Sequence, residues 1–129
     1  MIVIFDFDDT LCMTVPDADV GIRESGPNME VIAKMRAIAA NGDLVLIVTT
    51  RVEHREGWDT SRTTVADFVK EHNLPVSAVH FTDGALKGPL LAQLGVSKHF
   101  DDDPVELSWL PDHIEGVRVD IDPAWDSPS

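Results

Sequence analysis

The sequence predicts an α/β fold of three layers: five parallel strands with helices on both faces. Three observations carry this. Continuous apolar runs, the mark of strands buried on both faces, stand at residues 2–5 and 44–48, and shorter stretches that read as strands recur at 76–81, 96–100 and 117–121. Segments with helical spacing of apolar residues separate several of them, which implies right-handed crossovers and parallel pairing. Acidic, hydroxyl and basic residues follow the apolar runs, so the topology collects them at one edge of the sheet, where open α/β sheets bind ligands.

Each element has its own signal. Ile2, Val3, Ile4 and Phe5 are β-branched or aromatic and too few for a helix. Asp6, Asp8, Asp9 and Thr10 follow at once. From 11 to 27 the periodicity is lost and Pro16, Gly21, Gly26 and Pro27 gather, which predicts a loop or small flap beside the acidic stretch. Cys12 reads there as a small packed hydrophobe and Arg23 as a solvated side chain. A helix starts at Pro27 or Asn28 and runs to about residue 40, with Met29, Ile32, Met35 and Ala39 as its buried stripe and Asn41-Gly42 as its stop. The run 44–48 ends in Thr49, Thr50 and Arg51. A polar loop with His54, Arg55 and Trp58 follows, and Thr60 or Ser61 is expected to cap a helix with the stripe Val65, Phe68, Val69 and His72. Residues 82–88 form a turn carrying Lys87, and Pro89 suits the first position of a short helix ending at Gly95. The run 96–100 delivers Asp101, Asp102 and Asp103, and Asp103 is expected to cap a helix over 104–110 that holds Glu106 and a core Trp109. Residues 1–122 read as one domain and 123–129 as a loose tail.

Composition narrows the function classes. The net charge of −13, from 10 basic and 23 acidic residues, opposes strong non-specific binding to nucleic acid but leaves room for a local site for a phosphate end. No run reaches membrane-spanning length, and no membrane partner is expected. The one cysteine rules out an internal disulfide. An aspartate at position 6 interrupts the apolar start, so no secretory leader is read there, and the expected location is the cytoplasm.

Carboxylates crowded at the end of a buried strand repel one another until a cation or a proton relieves them. Oxygen donors of this kind suit Mg²⁺. The stretch Asp6-Phe7-Asp8-Asp9-Thr10 resembles the DxDxT first motif of the haloacid dehalogenase superfamily of phosphohydrolases. Thr49 at the end of a hydrophobic strand, Lys87, and Asp101-Asp102 with Glu106 beyond them resemble the second, third and fourth motifs in order. The resemblance implies a Rossmann-like core and Mg²⁺-dependent hydrolysis of a phosphomonoester. In that scheme Asp6 is the nucleophile that forms an aspartyl-phosphate. Asp8 is the general acid and base, braced by Thr10. Thr49 and Lys87 hold the phosphoryl group, and the metal sits on Asp6, the Asp8 carbonyl and Asp102, with Asp101 the alternate. The intervals between motifs leave no room for a large cap domain.

Within the superfamily the chain most resembles the phosphatase domain of polynucleotide kinase-phosphatases. Thr49-Thr50-Arg51, the polar loop to Arg62, the Lys87 helix and the Asp pair followed by Trp109 carry that likeness. It implies a substrate with a 3′ phosphate on a nucleotide or nucleic-acid end, contacted by Thr10, Thr50 and Arg51. Arg55 and Arg62 are expected to pair with Glu53, Glu56 and Asp59. Two alternatives stay open: a DxDxT protein phosphatase of the carboxy-terminal-domain type, and a phospho-accepting receiver domain of two-component signalling.

Overall fold

The computed structural model of the chain describes residues 1–126. In chain order the elements are β1 (Ile2–Phe5), β2 (Cys12–Asp17), β3 (Gly21–Pro27), α1 (Met29–Ala40), β4 (Leu44–Thr49), α2 (Val65–Glu71), β5 (Ala78–Phe81), α3 (Gly88–Leu94), β6 (Lys98–Asp101), α4 (Pro104–Ser108) and β7 (Glu115–Arg118), with short 3-10 turns at Glu53–Arg55 and Pro123–Asp126. Five strands form one parallel sheet in the order β5-β4-β1-β6-β7. β1 is central, with Ile2 beside Leu44 and Val3 beside Lys98.

Strand alternation divides the core into two layers. Val3 and Phe5 point to one face, where they join Ile32 and Met35 of α1 and Val65 and Phe68 of α2. Ile4 points to the other face and joins Leu46, Val48, Leu91 of α3, Val96 and Ile114. Burying side chains of this size contributes roughly 1.5–3 kcal/mol each. Phe5 stacks on Phe100 at 4.6 Å, and Phe7 meets Phe68 edge-on at 5.0 Å, so the start of the acidic segment is anchored in packed aromatic rings.

The α/β prediction with five parallel strands holds, and several local expectations do not. The stretch 11–27 is an antiparallel hairpin, β2 on β3, with an irregularity between Met13 and Thr14. In α1, Met29 is 57% exposed and Val31 takes its place in the core. The cap of α2 is Thr64, which accepts the Asp67 N–H, in place of Thr60 or Ser61. The last strand lies earlier than the expected 117–121, at Glu115–Arg118. Trp109 closes α4 with 66% of its surface exposed, so it is no core residue. The expected tail begins as a turn, Pro123–Asp126, from which the Trp125 indole N–H donates to the Thr14 carbonyl at 2.9 Å. The rest of that tail, 127–129, lies outside the described residues. Among the described residues no helix is long and apolar enough to cross a membrane.

Candidate active site

Asp6 stands one residue beyond the central strand. Its N–H donates to the Phe100 carbonyl at 2.9 Å, which extends the β1–β6 pairing and fixes the backbone from which the carboxylate projects. The chain then turns tightly: the Phe7 carbonyl accepts from the N–H groups of Thr10, Leu11 and Cys12. Asp9 takes a left-handed backbone (φ 61°), and its carboxylate is fixed by the Thr14 N–H at 3.0 Å and the Thr14 hydroxyl at 2.6 Å. The hairpin therefore pins the acidic turn. The Thr10 hydroxyl lies 3.1 Å from Asp6 Oδ2 and 3.4 Å from Asp102 Oδ1. It braces those two, and Asp8, which it was expected to brace, lies elsewhere.

Lys87 is only 2% exposed, at the start of α3. A solvated side chain is thereby excluded. Its ammonium donates to Asp6 Oδ1 at 2.7 Å and to Asp101 Oδ2 at 2.8 Å, and its backbone N–H faces Glu106 at 3.2 Å. Burial works against the lysine's charge, but Asp6 and Asp101 outweigh it and raise its pKa. For Asp101, burial is outweighed by the His99 hydrogen bond and the Lys87 charge, which hold it well below the ordinary carboxylate range. Both its oxygens are engaged: Oδ2 by Lys87 and by His99 Nε2 at 2.7 Å, Oδ1 by the Asp103 N–H at 3.0 Å. Asp103 caps α4, as its place in the sequence predicted.

Asp102 is different. Burial and the neighbouring Asp6 push it up to about 9. Asp6 itself is raised, chiefly by burial, with Lys87 opposing. Asp6, Asp101 and Asp102 offer oxygens that all lie within 4.8 Å of one another, so the trio could hold a metal ion. With all three ionised, the carboxylates against one ammonium would leave an excess of negative charge, which a proton on Asp102 or a divalent cation relieves.

The second half of the site centres on Asp8. Arg51 binds it through two parallel bonds, Nε to Oδ2 at 2.8 Å and Nη2 to Oδ1 at 2.7 Å, and Arg62 adds a third to Oδ1 at 2.8 Å. Arg51 also holds Glu56 at 3.0 Å, and Arg62 faces Glu24 at 3.5 Å. Thr49 is buried at the end of β4, and its hydroxyl accepts the Arg51 N–H at 3.2 Å. Thr50 lines the cleft with Asp6, Asp8, Lys87, Asp101 and Asp102. That cleft has a volume of about 360 Å³.

The expected ion pairs of Arg55 and Arg62 with Glu53, Glu56 and Asp59 are replaced. Arg62 pairs with Asp8 and Glu24, and Arg55 lies over the Trp58 ring. Four residues were not singled out by sequence reasoning in the parts they play. Glu24 of β3 accepts the Thr63 N–H and the Cys12 thiol; His99 anchors Asp101; Glu106 holds the Lys87 backbone; Arg118 lines the cleft. Glu106 had a signal, its place beyond the Asp pair. The partners of the other three are joined only by folding.

No protein-family model and no curated protein sequence matches the chain. The fold does match. A chain in the structure of the Pnkp1/Rnl/Hen1 RNA repair complex superposes on it with a TM-score of 0.65, at 15% identity, over 93% of this chain. The match spans 42% of that longer chain. At this identity the likeness is one of fold.

Chemically, the geometry joins three capacities at one edge of the sheet. Asp6 is a carboxylate aimed into a cleft beside a buried ammonium. The aspartate trio is a seat for a hard cation. Asp8 is a further acidic group on the rim, gripped by two guanidiniums of the kind that also bind phosphate bidentately.

Proposed function

We propose that the chain is a phosphomonoester hydrolase of the haloacid dehalogenase type, with residues 1–122 as a catalytic unit lacking a cap domain. The observation that supports this best is the placing of Asp6 at the end of the central strand, bridged to Asp101 by Lys87 and grouped with Asp102. Asp6 attacks phosphorus in line, the bond to the leaving oxygen breaks, and an aspartyl-phosphate forms. Lys87 opposes the upward push of burial on the Asp6 carboxyl and offsets charge on the phosphoryl oxygens. Mg²⁺ held by Asp6, Asp102 and the Asp8 carbonyl would supply the remaining positive charge that an anion attacking an anion requires. Asp101, with both oxygens engaged, anchors Lys87, which favours Asp102 as the ligand. Thr49 and Thr50 donate to the phosphoryl group.

Asp8 gives its proton to the leaving oxygen, then takes one from the water that attacks phosphorus and frees Asp6. In the structure both Asp8 oxygens accept N–H groups from Arg51 and Arg62. A bound phosphate offers those arginines equivalent acceptors, so substrate binding releases Asp8 to carry a proton. Arg51 and Arg62 thereby become substrate contacts. The fold shared with a component of an RNA repair complex, and arginines clustered locally in a chain of net charge −13, favour a nucleotide or nucleic-acid 3′ end as the substrate. The chain-wide charge opposes non-specific binding along a polyanion.

The signalling alternative fits less well. A receiver domain carries its accepting aspartate after the third strand of its sheet in chain order. Here that strand is β5, at the sheet edge, and the acidic centre follows β1. The test is hydrolysis of an aryl phosphate with Mg²⁺ and with excess chelator. Activity is expected only with metal, and Asp6→Asn should abolish both turnover and acid-stable labelling by a radioactive phosphoryl donor. Full activity in chelator, or near-normal rates in Asp6→Asn, refutes the mechanism.

A further inference from the structure

Beyond Asp8 the site opens into a second cleft, of about 280 Å³, lined by Arg51, Val52, Arg55, Glu56, Gly57, Asp59, Arg62 and Thr63. Asp8 borders both clefts, so the second lies next to the catalytic one. Two of its arginines are committed to carboxylates, Arg51 to Asp8 and Glu56 and Arg62 to Asp8 and Glu24. Arg55 has no carboxylate partner among the described residues, although Glu53, Glu56 and Asp59 are its near neighbours in sequence. Its guanidinium lies 6.0 Å from the Trp58 ring centroid. His54 meets the same indole edge-on at 5.8 Å.

Trp58, between the lining residues Gly57 and Asp59, is 70% exposed. An indole held out in water beside the second cleft, met by a cation and an imidazole, is an exposed surface for stacking. A nucleobase offers a π-face of matching size, and stacking on an aromatic side chain tolerates any base. A free guanidinium beside it suits a phosphate.

We propose that this cleft is the subsite for the terminal nucleotide of the substrate, with Trp58 stacking on its base and Arg55 binding its 5′ phosphate. This rests on the phosphohydrolase reading above and adds what the enzyme recognises beside the reacting 3′ phosphate. The smallest complete ligand is then a nucleoside 3′,5′-bisphosphate.

The test compares kcat/KM on three substrates: that bisphosphate, the nucleoside 3′-monophosphate, and the abasic deoxyribose 3′,5′-bisphosphate. The wild-type protein should favour the bisphosphate over the abasic compound about ten-fold, the scale of one base–aromatic stack. Trp58→Ala should collapse that ratio to about one, and Trp58→Phe should keep most of it. Arg55→Gln should instead collapse the ratio of bisphosphate to monophosphate. Ratios unchanged by these substitutions, or absent in the wild type, overturn the subsite. Calorimetric binding of the bisphosphate in excess chelator gives a readout without turnover. A protein that hydrolyses none of the three but loses affinity on Trp58→Ala keeps the subsite and refutes the phosphatase. A protein that neither hydrolyses nor binds them refutes both.

Discussion

Replacing Asp102 by asparagine should stabilise the metal-free protein at alkaline pH while removing its response to Mg²⁺. Burial beside Asp6 pushes the Asp102 carboxyl up to about 9 from an ordinary 3.8. Between those values the folded chain holds a proton that the unfolded chain has released, so the stability present at low pH is lost as pH rises toward the folded value. The slope is at most about 1.4 kcal/mol per pH unit, or about 4 kcal/mol between pH 5 and pH 8. Asp102 is only partly buried, and allowing for water near it roughly halves the figure, to about 2 kcal/mol. Asp102→Asn is isosteric with the protonated acid, and its amide can donate to Asp6 as the protonated acid does, but it takes up no proton. Thermal unfolding in chelator should therefore show the variant and the wild type alike at pH 5, with the variant melting about 6–10 °C higher at pH 8. Millimolar Mg²⁺ should then raise the wild-type midpoint and leave the variant's in place. A variant that melts below the wild type at pH 8 in chelator, or gains as much from Mg²⁺, refutes the reasoning.

Lys87→Met leaves Asp6 and Asp101 without the buried ammonium that bridges them at 2.7 and 2.8 Å. Breaking such a pair costs about 3–5 kcal/mol, read as a lower urea midpoint at pH 7.5, and the loss should shrink as pH falls and the carboxylates take protons; equal midpoints would mean that Lys87 carries no charge. Gly88 lies next to it, and a Cβ there would sit 2.9 Å from the Trp109 carbonyl oxygen. Gly88→Ala must move backbone at the start of α3, so it should cost about 1–3 kcal/mol and lower kcat by displacing Lys87; an unchanged melting curve and rate exclude that close approach. Thr64→Ala should cost about 1 kcal/mol by removing the cap of α2, whereas Thr60→Ala and Ser61→Ala should be neutral in the same melts. A larger loss at Thr60 or Ser61 would move the helix start.

The sheet was legible because β1 and β4 are continuous apolar runs and the other three strands follow helices or turns in alternation with them, and the edge that bears the site follows from parallel pairing alone. Asp6, Asp101, Asp102 and Lys87 come together as their positions after strands implied. The hairpin was not legible. β2 and β3 carry Pro16, Glu24 and two glycines in place of an apolar alternation, because only one end of the hairpin is packed and the rest is solvated. Trp109 misled because an indole near a helix looks like core, and nothing local says that α4 ends there with the ring outward. The grip of Arg51 and Arg62 on Asp8 spans 43 and 54 residues of sequence, and Glu24 reaches Thr63 across 39. Such partners share no window of sequence, so local pattern names the groups without saying which of them meet.

The central place of β1 also sets an order of events during synthesis. β1 is the first strand of the sheet to be made, yet one of its edges is covered only by β4 and the other only by β6. At ribosomal rates of about 5–20 residues per second, the second edge waits roughly 5–20 s for its partner. For most of that interval Asp6 lacks Lys87, and throughout it lacks the Phe100 carbonyl, the two groups that hold it in the finished molecule. Closure of the acidic centre is thus a late, long-range step, of the kind that gives folds rich in distant contacts their slower assembly. A nascent chain halted before β6 presents the nucleophile's strand as an open sheet edge, the form most prone to pair with a neighbour.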